Sequence, residues 1–307
     1  MHIPVLLEEV IDGLQLKKNG IYVDGTVGYG GHTEAMAERQ KSSLKIIGVD
    51  KDQEALDSAS KRLKKYKSIE LVPGSYNQLP ELLKDRSIDL VDGVLLDLGE
   101  SSPQFDDPKR GFSFNKDGPL DMRFDIGSRK TAADILNTYP EKDLARIIKD
   151  YGEERFAERI AGAIVKQRRE ESFARTSQLV ELIETTVPRK AWPKNIHPAT
   201  RTFQALRIEV NNELDELREA LIKIVHMLKP GGRLVVISFH SLEDRIVKRF
   251  FKEAEKECVC PKVFPVCRCD KEKLLKIITK KPITASKTEI KNNVRSRSAK
   301  LRIAERL

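Results

Sequence analysis

Residues 21–33, Ile-Tyr-Val-Asp-Gly-Thr-Val-Gly-Tyr-Gly-Gly-His-Thr, constrain the fold of this chain more than any other stretch. An apolar strand runs into a glycine-dense turn, and the helix-forming run Glu34-Ala35-Met36-Ala37-Glu38-Arg39 follows at once. A second apolar run, Leu44 to Val49, ends in Asp50. Glycine lets backbone pass close to a ligand with no Cβ in the way. An acidic residue about 20 positions on, at the tip of the next strand, is placed to accept hydrogen bonds from ribose hydroxyls. Together these features describe an α/β sheet that binds a nucleoside cofactor. Taken alone, the glycine cluster also fits a plain tight turn.

The charge at the strand end narrows the cofactor. A dinucleotide site uses Gly-x-Gly-x-x-Gly and aims a helix N-terminus at a pyrophosphate. Here the glycines fall at Gly25, Gly28, Gly30 and Gly31, and Asp24 ends the strand. A carboxylate there repels a pyrophosphate and suits a cationic amino-acid moiety, such as the methionine end of S-adenosylmethionine. On that electrostatic ground the methyl donor is preferred to NAD.

The rhythm of the chain supplies the architecture. Strands are expected at Ile21–Val27, Leu44–Val49, Ile69–Val72 and Gly93–Leu98, with helices at Thr33–Arg39, Gln53–Tyr66 and Gln78–Lys84. This βα alternation implies a parallel sheet covered on both faces. It stops after the fourth strand. A Gly/Pro/Asp-rich loop, 106–125, leads into helical segments at Asp143–Lys149, Glu153–Arg169 and Thr176–Thr186. In the second of these Phe156, Ile160 and Ile164 share a face, with Arg155, Arg159, Lys166, Arg168 and Arg169 off it. The α/β pattern resumes with a helix at Asn212–Leu228, stopped by Lys229-Pro-Gly-Gly, and a buried-type strand, Arg233–His240. Ser241 and Asp244 read as N-cap and N3 of the next helix. The expected organisation is therefore one α/β domain, 1–104 with 207–307, interrupted by a helical insert, 105–206. The insert leaves from the carboxyl end of a strand, the edge where open α/β sheets bind ligands.

Charge is distributed unevenly. The net charge is +9, and the stretch from Lys271 onward holds twelve Lys/Arg against three Asp/Glu, which leaves the rest neutral. A basic excess at one end reads either as a footprint for a polyanion or as a solvated tail. The apolar runs Leu274–Ile278 and Ala299–Ala304 add two strands there. No apolar stretch has the length of a membrane span, and the start His-Ile-Pro-Val-Leu-Leu-Glu-Glu lacks the pattern of a signal peptide, so a cytoplasmic location is expected. The four cysteines form one group, Cys258-Val-Cys260 and Cys267-Arg-Cys269. Two Cys-x-Cys pairs fit one tetrahedral zinc or a surface loop with reduced thiols; the usual knuckle is Cys-x-x-Cys, and from sequence we assign no metal ligand.

The candidate chemistry lies at strand ends. The fourth strand ends Asp97-Leu-Gly-Glu-Ser101-Ser102-Pro-Gln104. Many amino methyltransferases place an Asp/Asn-Pro-Pro-aromatic turn here; this chain has Ser-Ser-Pro-Gln instead. Asp97, Ser101 and Ser102 are candidates to hold an amino group by its hydrogens, and Asp97 also fits a turn or cap. His240 is either a proton acceptor or a strand-end histidine bonded to a loop. His32 is either a donor to cofactor or a plain first-turn residue. Tyr76 either edges an adenine or fills core. No catalytic residue is assigned.

These motifs resemble the ribosomal RNA small subunit methyltransferase H family. The resemblance rests on Asp-Gly-Thr-Val-Gly-Tyr-Gly-Gly-His from Asp24, Asp-Leu-Gly-Glu-Ser-Ser-Pro-Gln from Asp97, Arg-Gly-Phe-Ser-Phe from Arg110 and Asp-Gly-Pro-Leu-Asp-Met-Arg from Asp117. It continues in Tyr-Gly-Glu-Glu-Arg from Tyr151, His-Pro-Ala-Thr-Arg-Thr-Phe-Gln-Ala-Leu-Arg from His197 and Ile-Ser-Phe-His-Ser-Leu-Glu-Asp-Arg from Ile237. It implies a Rossmann-like class I methyltransferase, a doubly wound α/β sheet with an inserted all-α domain. It implies methyl transfer from S-adenosylmethionine to N4 of a cytidine in the decoding region of 16S ribosomal RNA, within the small ribosomal subunit. Cofactor contacts are implied at Gly30, Gly31, His32, Asp50, Tyr76, Asp97 and Gln104. Glu100 departs from the apolar residue usual at its position, and the Cys-x-Cys pairs occur in only part of the family. A methyltransferase of DNA or a small molecule, and a nonenzymatic RNA-binding assembly factor, are the rival classes.

Overall fold

A computed structural model describes residues 4–40, 43–99, 105–113, 116–194, 196–261 and 268–307. Two compact units divide the chain: Met1–Gly99 with Leu214–Leu307, and Glu100–Glu213.

The first unit opens with helix α1 (Leu7–Leu14), which precedes strand β1 (Ile21–Asp24). Then come α2 (Gly31–Arg39), β2 (Lys45–Asp50), α3 (Gln53–Leu63), β3 (Ile69–Pro73), α4 (Leu79–Lys84) and β4 (Val91–Asp97). The second unit carries α5 (Ala132–Thr138), α6 (Glu141–Asp150), α7 (Ala157–Gln167), α8 (Thr176–Thr186) and α9 (Thr200–Asn211). The chain returns through α10 (Glu213–Met227) to β5 (Leu228–Ser238), α11 (Ser241–Ala254), β6 (Leu275–Ile277), α12 (Lys287–Asn292) and β7 (Lys300–Arg306). The sheet has seven strands in the order β3-β2-β1-β4-β5-β7-β6. β1 to β5 pair in parallel, whereas β7 runs antiparallel to both β5 and β6. Strand order reverses between β1 and β4, which makes their carboxyl ends the switch point of the sheet.

Alternation along the strands explains why this sheet is buried on both sides. Val94 and Leu96 join one core cluster with Ile47, Val49, Leu234 and Val236. Their neighbours Leu95, Ile46, Val235 and Ile237 join a second cluster with α1 and α2 residues. Each strand therefore reads as a continuous apolar run. The second unit has its own core, in which Ile135, Leu144, Ile148, Ile160, Ile164, Ile183 and Leu206 are fully buried. No named strand occurs among its described residues.

Two local expectations need correction. The Lys229-Pro-Gly-Gly stop is already strand: Leu228 pairs with Val91, and a register shift between Val91 and Gly93 absorbs the extra residues. Gly231 takes φ 75°, which a glycine adopts at little cost. The cap of α11 is His240, not Ser241, because His240 keeps an extended backbone (φ −135°, ψ 167°) and pairs with Glu243 in a capping box. Asp244, freed from that role, binds Arg302 Nε on β7 at 2.6 Å. Helices α1, α5, α9 and α12 lie outside the helices expected from the sequence.

Asp92 locks the start of the site strands in register. Its Oδ2 accepts from Ile21 N–H at 2.9 Å and from Lys229 Nζ at 2.8 Å, so one carboxylate ties β1, β4 and β5. Burial pushes this carboxyl up, but the Lys229 ammonium and the Ile21 N–H outweigh it, and its pKa lies below the ordinary value. A lowered carboxyl pKa supplies stability above the unfolded value and loses it as pH falls through the folded one. Asp92→Asn is expected to destabilise the protein by about 1–3 kcal/mol at neutral pH, with the gap narrowing as pH falls through about 4 and below. Urea unfolding across that range checks it; a gap independent of pH would remove the charge from the account.

Candidate functional site

Three carboxylates stand at the ends of adjacent parallel strands: Asp50 on β2, Asp24 on β1 and Asp97 on β4. Thr26, just past β1, receives the Asp97 backbone N–H on its hydroxyl at 2.6 Å. That bond joins the two strand ends across the switch point.

Asp50 is held by backbone alone. Its Oδ2 accepts from Gly28 N–H at 2.8 Å and its Oδ1 from Asp52 N–H at 3.0 Å. Burial raises its pKa, and those two N–H groups pull the other way. A carboxylate offers about four acceptor sites, so a hydroxyl donor can be taken beside these N–H groups. Gly28 has φ 49°, and a Cβ there would meet nothing nearer than the Thr26 carbonyl at 3.9 Å. The turn surface beside Asp50 is therefore clear of side chain. Gly30 and Gly31 differ: a Cβ would come 3.0 Å from Leu63 Cδ1 and 2.5 Å from Pro4 Cγ respectively. Protein already fills the space their missing Cβ atoms leave, so packing demands these two glycines. Gly30 N–H donates to the Val27 carbonyl at 2.8 Å, so the backbone N–H offered here belongs to the first turn of α2 from Gly31, which has no side-chain cap.

Tyr76 sits half-buried at the start of a short 3-10 turn, Tyr76–Gln78, with Lys51 Nζ 5.9 Å from its ring centre. Glu216 on α10 binds both Lys51 and Ser75, which fixes the ring from two sides.

Asp24, His32 and Asp97 form the charged heart of the site. Asp24 is buried, accepting from Thr33 Oγ1 at 2.7 Å and Thr26 N–H at 3.3 Å. Burial pushes it up to about 6 although His32 and these donors oppose the shift. His32 lies buried with Nε2 2.9 Å from the Val5 carbonyl. A carbonyl only accepts, so Nε2 carries the proton and Nδ1 presents a lone pair. Burial lowers the His32 pKa against the pull of Asp24. Its Nδ1 faces Asp97 Oδ2 at 3.6 Å, two acceptors too far apart and too alike to bond. Asp97 is pushed up to about 7, first by burial and then by the negative charge of Glu243. Its side chain is 21% exposed, yet Oδ1 is shut from solvent and has no hydrogen-bond partner among the described residues. The cluster holds acceptors in excess of donors, which is a receptor for a cation.

Sequence reasoning placed the methionine-facing charge on Asp24. The structure spends both Asp24 oxygens on threonines and leaves Asp97 with the open one. Thr26, Thr33 and the Val5 carbonyl went unnoticed; the threonines lie inside the glycine motif, but nothing in the pattern points to Val5. His240 caps α11, accepting Glu243 N–H on Nδ1 at 3.4 Å with Nε2 3.1 Å from Glu243 Oε1. Gln104, Ser101 and Ser102 lie outside the described residues.

The profile of the MraW methylase family matches residues 1–307. The chain belongs to this family. Similar proteins include one from Caldicellulosiruptor saccharolyticus, 53% identical over 307 residues and covering 100% of this chain and 99% of its own. Another, from Carboxydothermus hydrogenoformans, is 52% identical over 307 residues with 100% and 98% covered. A third, from Halothermothrix orenii, is 51% identical over 306 residues, again with 100% and 98% covered. Each of these relatives carries the name ribosomal RNA small subunit methyltransferase H.

For a methylase the donor set fits S-adenosylmethionine. The orphaned Asp97 Oδ1 calls for a donor, and an ammonium provides one. The same carboxylates would repel a pyrophosphate. Because folding raises the Asp97 pKa, its contribution to stability is fully present below the unfolded value, about 4, and is lost as pH rises through about 7. Asp97→Asn removes that loss. The variant is expected to gain on the wild type by at least ~1 kcal/mol between pH 5 and pH 8, read by urea unfolding without donor. An equal difference at both pH values would show that Asp97 ionises freely.

Proposed function

We propose that this methylase transfers a methyl group from S-adenosylmethionine to the exocyclic N4 of a cytidine in the decoding region of 16S ribosomal RNA, acting on the small ribosomal subunit in the cytoplasm. The observation that carries the reading is identity of about half, end to end, with relatives named as methyltransferases of small-subunit ribosomal RNA. No helix among the described residues is long and apolar enough to cross a membrane.

When bound, the donor supplies a sulfonium methyl that is already electrophilic. The chain's part is to hold and align. Asp50, pinned by Gly28 and Asp52 N–H groups, accepts from the ribose hydroxyls. Tyr76, braced by Lys51, edges the adenine together with Gln104. Asp97 Oδ1 and His32 Nδ1 take the ammonium of the methionine part, while the uncapped first turn of α2 at Gly31 and His32, entered through the Gly30 turn, faces its carboxylate. The cytosine amino nitrogen is a poor nucleophile, its lone pair conjugated with the ring, so positioning dominates the rate. The base is presented unstacked.

Phosphates are gripped by cations not committed elsewhere. Arg302 and Lys300 bind Asp244, Arg306 donates to the Leu274 carbonyl, and Arg168 donates to the carbonyls of Leu136 and Tyr139. Lys276, Lys280, Lys281, Lys287, Lys291 and Arg297 are exposed, as are Arg159, Lys166 and Arg169 on the helical unit, whereas Arg155 donates to the Ala191 carbonyl. We assign that unit, 105–206 by sequence, to the substrate side.

Asp50→Ala is expected to weaken donor binding at least ~10-fold by calorimetry, since charge-assisted hydrogen bonds to the ribose are lost. Unchanged affinity would remove the ribose role. Incubation of donor and protein with small subunits, naked 16S RNA or DNA, followed by nucleoside mass spectrometry, is expected to yield N4-methylcytidine in ribosomal RNA. Methylation of DNA alone, or RNA binding without any modification, would overturn the assignment. Binding is expected to weaken steeply as salt rises.

A further inference from the structure

Helix α11 ends at Ala254 and β6 begins at Leu275, and the excursion between them closes at its base through Leu274 N–H to the Ala254 carbonyl at 2.8 Å. None of its described residues from 256 to 274 is buried. Three of its side chains nevertheless converge. Cys258, Cys260 and Cys269 have sulfurs all within 4.8 Å of one another. Cys258 and Cys269 Sγ lie 3.7 Å apart. That is far beyond a disulfide, about 2.05 Å. It equals the edge of a tetrahedron whose centre is about 2.3 Å from each corner, the zinc–thiolate distance.

The backbone is arranged to match. Each sulfur receives one N–H: Cys258 from Cys260 at 3.3 Å, Cys260 from Arg268 at 3.3 Å and Cys269 from Val259 at 3.4 Å. Donors aimed at all three sulfurs temper the negative charge that builds when thiolates share a cation. Three soft sulfur donors select zinc over magnesium or calcium.

We propose that Cys258, Cys260 and Cys269 hold a structural zinc ion that staples the segment between α11 and β6. Each thiol binds as thiolate and releases its proton to solvent, and no electron changes hands. The site lies in a different segment from the donor pocket and makes no demand on methyl transfer.

The test uses the full-length protein, made without a histidine tag and dialysed after loading with zinc. Metal analysis is expected to find about one zinc per chain. Cys258→Ser, Cys260→Ser and Cys269→Ser should each release most of it, while donor binding by calorimetry remains at the wild-type level and shows that the variants are folded. Cobalt substituted for zinc should give thiolate charge-transfer absorption that the variants lack. A wild-type protein that retains no metal after dialysis would overturn the proposal, as would serine variants that retain as much as the wild type. Because metal content is read without RNA or methylation, failure here leaves the proposed activity standing, and the reverse holds.

Discussion

A half-buried carboxylate, one oxygen of which is shut from solvent and left unbonded, governs this site. Asp97 Oδ1 has no donor among the described residues, and its other oxygen faces an imidazole lone pair. Keeping such a group in place costs folding free energy, and the surrounding bonds explain how it is tolerated. Thr26 holds the Asp97 backbone, Val5 fixes the His32 tautomer, and Thr26 with Thr33 quiets the neighbouring Asp24. Every one of these lies at the sheet's switch point, where the parallel strands β1 and β4 end side by side. The geometry of the sheet puts the acids together, and their mutual burial defines what they accept.

Much of this was legible in the chain because strands and turns leave local marks. The apolar runs before Asp24, Asp50 and Asp97 announced three strands, and the βα rhythm announced their parallel arrangement. The break in rhythm after Asp97 announced helices, and α8 was anticipated with its observed ends, Thr176–Thr186. What escaped notice depends on partners distant in sequence. The Val5 carbonyl meets His32 across 27 positions, and Glu216 meets Ser75 across 141. No periodicity encodes such a meeting. The division of labour between Asp24 and Asp97 was invisible for the same reason, since either acid reads alike until the threonines around it are placed. The cap of α11 was displaced by one residue because a histidine ring nitrogen can do what a serine hydroxyl does.

The basic end of the chain shows how composition overstates availability. A local excess of positive charge suggested a polyanion footprint, and exposed lysines support that reading. Some of its arginines are nonetheless occupied in holding the fold: Arg302 fastens β7 to α11, and Arg306 donates to the Leu274 carbonyl at 3.0 Å. The same residue type serves the sheet edge and the solvent face, and only tertiary placement separates the two roles.

Strands β4 and β5 are hydrogen-bonded neighbours, yet β4 ends at Asp97 and β5 starts at Leu228. Closing a disordered loop of that length carries an entropy penalty that grows with the logarithm of its size. Helices close on residues near in sequence, which favours early ordering of such a unit. Once it has ordered, the span to be closed is no longer a random coil, and the central parallel pairing becomes accessible. The ease with which the sheet knits together is thereby tied to a part of the chain that shows no named strand among its described residues.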